Sequence, residues 1–125
     1  MLMETKMRQM ATDICKAYGA TAEFTYEKRY PPTVNSQAET DIAASVAAGI
    51  VGTERVNTRP TAAMGSEDFA FMLQEKPGAY IWVGNGDGEG SCSVHNPGYD
   101  FNDDVLPIGA SYWVKLAETL LPPIR

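Results

Sequence analysis

Histidine is almost missing from this chain: His95 is the only one in 125 residues. That excludes a metal centre built from the sequence's own imidazoles, because one ring fills one coordination position of at least four. Cysteine is nearly as scarce. Cys15 and Cys92 are too few for the disulfide framework of a small secreted domain, and they read as free thiols of a reducing compartment, the cytoplasm. Cations are outnumbered, with ten Lys and Arg against sixteen Asp and Glu and a formal charge of −6. This balance argues against nucleic acid and anionic membrane surfaces as partners, since both demand clustered basic residues. No apolar run approaches the roughly 20 residues of a membrane span. The longest mainly apolar stretch is Ile42 to Val51. No opening pattern of basic residues, apolar run and small-residue cleavage site is present, so no secretory leader is expected.

What is present has clear periodicity. Met3, Met7, Met10 and Ile14 recur at helical spacing, and Gly19 follows as a stop, which predicts a helix whose methionine stripe packs into a core. From Thr21 to Tyr30 the period becomes two, with Ala22, Phe24, Tyr26 and Tyr30 on one face, the pattern of a half-buried strand. Pro31-Pro32 ends it and marks a domain boundary. Ser36 and Glu39 form a capping box for a second helix, in which Ala38, Ile42, Val46 and Ile50 repeat and small residues suit packing on a sheet. Ser66 is placed to cap a short helix over residues 67–74. Ala79 to Val83 reads as a buried strand. Gly84 to Gly90 reads as a mobile loop, and Val105, Ile108, Tyr112, Leu116 and Leu120 mark a final helix that begins near Asp103 or Asp104. Helices alternating with short strands predict an α/β layer with helices covering a sheet.

Chemistry concentrates in three places. The glycines at 84, 86, 88 and 90 fail the dinucleotide fingerprint, because Glu89 stands where its third glycine belongs and Asp87 and Glu89 would repel phosphate. Cys92 and His95 have half the spacing of a zinc site, but Cys15 lies in a distant helix. No G-x-S-x-G elbow supports a serine nucleophile. Glu67-Asp68 complements a helix dipole on one reading and faces a cleft on the other. His95 is open in the same way: it is a hydrogen-bonded loop histidine, or a ligand oriented by the polar residues after it.

Four segments in register carry a resemblance. Pro31-Pro32-Thr33-Val34-Asn35, Gly65-Ser66-Glu67-Asp68-Phe69-Ala70, Pro77-Gly78-Ala79-Tyr80 and His95-Asn96-Pro97 with Tyr99-Asp100-Phe101-Asn102-Asp103 resemble the C-terminal part of the M20 metallopeptidase family. The branch that fits includes hippurate hydrolase, N-acyl-amino-acid deacylases and auxin-conjugate hydrolases, and the resemblance covers nearly the whole chain.

That resemblance implies a partial zinc-peptidase-like catalytic domain over residues 35–125. Residues 1–34 would be the last helix and strand of a ferredoxin-like lid, a domain that often mediates dimerisation, so a homo-oligomer is expected. It implies hydrolysis of the amide bond of N-acyl-amino acids by a water activated on divalent metal: zinc, manganese, nickel or cobalt. His95 would be the one metal ligand this chain supplies. Ser66 and Glu67 would lie at the substrate pocket, with Asn96 and Asp100 bracing the ligand. The family's Cys-Gly-His-Asp segment and general-base Glu-Glu pair have no counterpart here. No catalytic residue is therefore assigned, and the chain alone is expected to be inactive. The alternative is a non-catalytic binding or dimerisation module derived from the same fold.

Overall fold

A computed structural model describes residues 2–121. The chain divides into two compact units, Met1–Pro31 and Pro32–Arg125. Four α-helices and two short 3-10 turns make up the regular structure, and the described residues contain no β-strand. The sheet expected from the sequence is therefore not seen.

In the first unit, α1 (Leu2–Ala17) is built from strong helix formers. It stops at Gly19, whose φ of 71° only glycine adopts without strain. Gly19 N–H donates to the Lys16 carbonyl and Ala20 N–H to that of Cys15, which satisfies the last turn. The segment after it meets α1 along its polar stripe. The Arg8 guanidinium donates to the Phe24 carbonyl at 3.1 Å and lies 4.9 Å from the centre of the Phe24 ring. Glu4 pairs with Lys28 at 3.4 Å.

The covered stripe is Glu4, Ala11 and Cys15, all half-buried. The methionine stripe one residue round the helix is left out, and Met10 is 61% exposed and Ile14 57%. It does not pack into a core in this unit, contrary to its periodicity. The alternation over residues 21–30 survives as burial: Ala22, Phe24 and Tyr26 are half-buried while their neighbours are exposed. It does not survive as a strand. A ladder needs a partner strand, and the described residues supply none.

In the second unit, α2 (Gln37–Val51) packs against α4 (Leu106–Leu120) rather than on a sheet. Ala43 and Val46 of α2 and Tyr112 of α4 are buried, and the fourth buried residue is Ala70 of α3 (Phe69–Glu75). Small side chains on α2 admit the facing helix at close range, the same property that would have suited a sheet. Ser36 precedes α2, but the capping box does not form. Its hydroxyl accepts instead from Gly78 N–H at 3.3 Å. Ser66 likewise caps nothing: α3 begins at Phe69 with Asp68 before it. Residues 79–83 are not a buried strand either, and Trp82 is 68% exposed. An apolar run of that kind needs cover on both faces.

The accessible surface is 10,762 Å². A folded protein of this mass exposes about 6,600 Å², and two separate globules of the two units' sizes about 7,700 Å². Roughly 3,000 Å² of surface therefore stands in excess of what self-contained domains of this size leave open.

Tyr112 is the one large side chain in the core, so the α2–α4 contact is expected to depend on it. Tyr112→Ala should lower stability by about 3 kcal/mol, measured as a shift in urea midpoint at unchanged slope. A loss below about 1 kcal/mol would mean that the two helices are held by something else.

Candidate functional site

Two asparagines organise the irregular part of the second unit. A side-chain amide carries one donor and one acceptor side by side, so it can pair with backbone as a neighbouring strand does. Asn35 does this to Tyr80: its Nδ2 donates to the Tyr80 carbonyl at 2.9 Å, and its Oδ1 accepts from Tyr80 N–H at 2.8 Å. Next to it, Ser36 N–H donates to the Gly78 carbonyl at 2.9 Å. The chain entering α2 is thereby stitched to residues 78–80.

Tyr80 sits at the centre of a small cluster. Its ring lies 5.6 Å from that of Phe69 and meets Trp82 edge-on at 6.4 Å. Partial burial first, then the nearby Glu67 carboxylate and the negative charges of Glu67 and Asp68, raise the Tyr80 phenol above its ordinary pKa. Glu67 is half-buried, while Ser66 beside it is exposed.

The second asparagine holds the loop that carries His95. Asn85 Nδ2 donates to the Asp100 carbonyl at 2.7 Å, and Asn85 Oδ1 accepts from Asn102 N–H at 2.8 Å. Asn102 Nδ2 and Ser91 Oγ both donate to the Asn85 carbonyl, at 3.3 and 3.2 Å. Asp100 N–H donates to the Gly90 carbonyl at 3.0 Å. Asn102 Oδ1 accepts from Asp104 N–H at 3.0 Å, which leads the chain through a 3-10 turn into α4. A Cβ at Gly90, where φ is 85°, would stand 2.7 Å from the Asp100 Cβ. The glycine-rich segment, expected to be a mobile connection, is fastened at both ends of this network.

His95 is exposed at the far side of the loop, with φ of 70°, the one described non-glycine residue in the left-handed region. Such a residue costs of order 1 kcal/mol, and histidine tolerates the region better than most. Its ring makes no hydrogen bond among the described residues. Asn96 turns its Oδ1 back onto Gly98 N–H at 2.9 Å and shapes the turn after His95. Asp100 is exposed and enters the network through its backbone.

No three His, Cys, Asp or Glu side chains converge on a common point among the described residues. One imidazole does not satisfy a divalent ion, so the donors present here do not by themselves fit the divalent metal that the resemblance implies. No described helix is long and apolar enough to cross a membrane. Sequence reasoning passed over Asn85, although an asparagine between two glycines is a recognisable turn-and-bridge signal.

Residues 2–119 match the sequence profile of peptidase family M20/M25/M40. The chain belongs to that family. It is 32% identical over 119 residues to an N-acetylcysteine deacetylase of Bacillus subtilis, which covers 95% of this chain and 30% of the relative. It is 35% identical over 123 residues to IAA-amino acid hydrolase ILR1-like 4 of Arabidopsis thaliana, covering 94% and 27%. A hippurate hydrolase of Campylobacter jejuni is 32% identical over 116 residues, covering 93% and 30%. The M20 chain described here thus spans less than a third of the length of these relatives. No solved structure shows a significant match. Family M20 members are metal-dependent peptidases and amidohydrolases.

The raised Tyr80 phenol has a pH signature. A phenol whose folded pKa is raised holds its proton more tightly in the native state. Its contribution is complete at neutral pH and is lost as pH rises beyond the ordinary tyrosine value of about 10. Burial raises Tyr112 in the same direction. Stability should therefore decline above about pH 9.5, and Tyr80→Phe should flatten part of that decline. Urea midpoints across this range check it, and an unchanged profile in Tyr80→Phe would show that the pair contributes nothing.

Proposed function

We propose that this M20 chain is the His95-bearing part of a metal-dependent amidohydrolase acting on N-acyl-amino acids. The observation that carries the reading is the state of His95. It is the sole imidazole, it is held in a left-handed conformation, and it lies in the His95-Asn96-Pro97 segment of a chain matched to the family over residues 2–119. Strained backbone that persists is overdetermined by its surroundings, and such residues cluster at functional sites. In this reading His95 donates one imidazole nitrogen to a divalent ion whose other donors lie outside these 125 residues. Asn96 and Asp100 shape the turn that presents the ring. Ser66 and Glu67 flank the substrate, with Glu67 beside Tyr80.

Residues 1–34 belong to a lid and residues 35–125 to the catalytic domain. The excess of roughly 3,000 Å² fits a chain whose open surfaces are covered by other parts of a longer protein. The activities for which the relatives are named support the substrate class, an acyl group joined by an amide to an amino acid. When bound, the metal would supply an activated water and polarise the scissile carbonyl. This chain contributes the ligand position and part of the pocket wall, and no proton acceptor.

A second reading, a dimerisation module, is favoured by the exposed apolar side of α1, where Leu2 is 73% and Met3 65% exposed. Concentration-dependent mass in light scattering would support it, and a constant monomer mass would count against it.

The test of the first reading begins with the isolated chain, which should not turn over hippurate with added zinc, manganese or cobalt. In a chimera, these residues replace the segment they match in the Campylobacter hippurate hydrolase. That chimera should be active, and His95→Gly should lower kcat/KM at least about 100-fold and reduce bound metal. Glycine is the right replacement because it accepts the positive φ, so the turn survives while the donor is lost. Retention of activity within about threefold in His95→Gly would overturn the assignment.

A further inference from the structure

We infer that Asn85 is the positioning residue for His95, closing the neck of the loop that presents it. Residues 86–101 leave and return to one side chain. Asn85 Nδ2 holds the Asp100 carbonyl at 2.7 Å, and Asn85 Oδ1 holds Asn102 N–H at 2.8 Å. The closure is reinforced from outside the amide by Asn102 Nδ2 and Ser91 Oγ on the Asn85 carbonyl, and by Asp100 N–H on Gly90. Within the neck, the turns at Ser93–Asn96 and Asn96–Tyr99 fix the path on either side of His95. His95 itself makes no hydrogen bond among the described residues, so its position follows from these turns and from the neck that holds them. The Ser93–Asn96 turn carries His95 at positive φ, and the Asn85 closure fixes where that turn stands.

The value of that position for catalysis rests on the proposed ligand role of His95, but the closure does not. Its test is therefore separate. In the full chain, amide exchange is followed at Asn102 and at Val46, which reports the α2–α4 core, together with the single imidazole Cε1–H signal in NMR. Asn85→Ala should speed exchange at Asn102 N–H about tenfold while Val46 stays protected, and should move the His95 signal. Asn85→Asp keeps the acceptor for Asn102 N–H but puts an oxygen against the Asp100 carbonyl, so it too should move the His95 signal. An Asn102 exchange rate within about twofold of the parent, with the His95 signal unmoved, would overturn the inference. Should Asn85→Ala lose protection at Val46 as well, the His95 signal in Asn85→Asp decides. Loss of metal in the His95→Gly chimera bears only on the ligand role, so either claim can fail alone.

Discussion

Side-chain amides stand in for β-ladders in the second unit of this chain, and its irregular half depends on that substitution. Asn35 exchanges two hydrogen bonds with Tyr80, and Asn85 bonds Asp100 and Asn102. Each pair places backbone groups that have no strand beside them in contact with a donor and an acceptor of matching geometry. Buried or half-buried peptide groups must find partners, and these amides provide them at four points. The consequences run outward in both directions. Asn35 and Ser36 tie the entry of α2 to residues 78–80, and Asn85 ties residue 85 to the approach to α4. The packed helices α2 and α4 therefore bracket a chain whose two ends are fixed, and the segment with Tyr80 and Trp82 runs between the two asparagines.

What the sequence made legible follows from what periodicity encodes. A repeat of three and four, or of two, specifies which side chains share a face. It does not specify what covers that face. All four helices were readable, and α4 was placed through Tyr112 and Leu116 because their own face is the covered one. The stripe Met3, Met7, Met10 and Ile14 was read as core, yet the stripe Glu4, Ala11 and Cys15 beside it is the one covered. Arg8 offers both a guanidinium donor to the Phe24 carbonyl and a cation over its ring, and a hydropathy pattern carries neither interaction. The alternation of residues 21–30 was read correctly as two faces and incorrectly as a strand, since pairing is a property of the neighbour. Ser36 shows the same limit on a smaller scale: its hydroxyl has one set of lone pairs, and Gly78 N–H holds it in place of the helix amides.

The site was legible as a motif but not as an arrangement. His95 stood out by its scarcity, whereas the loop around it is closed by a residue ten positions earlier in the chain. Asn85 was absorbed into a glycine-rich stretch whose composition suggested a mobile connection. Composition does not tell what two of these glycines are for: those at 86 and 90 take positive φ, and at 90 Asp100 approaches closely.

Glu67 illustrates how two readings of one residue combine. Dipole complementarity and a cleft-facing role were the alternatives, and the structure adds a third: a negative charge beside the Tyr80 phenol, which it helps to keep protonated. Tyr80 is held through its backbone by Asn35 and through its ring by Phe69, the residue that opens α3 two positions after Glu67. The tyrosine, Asn35 and the helix start thus form one cluster of contacts, and the loop that carries His95 is fixed separately by Asn85.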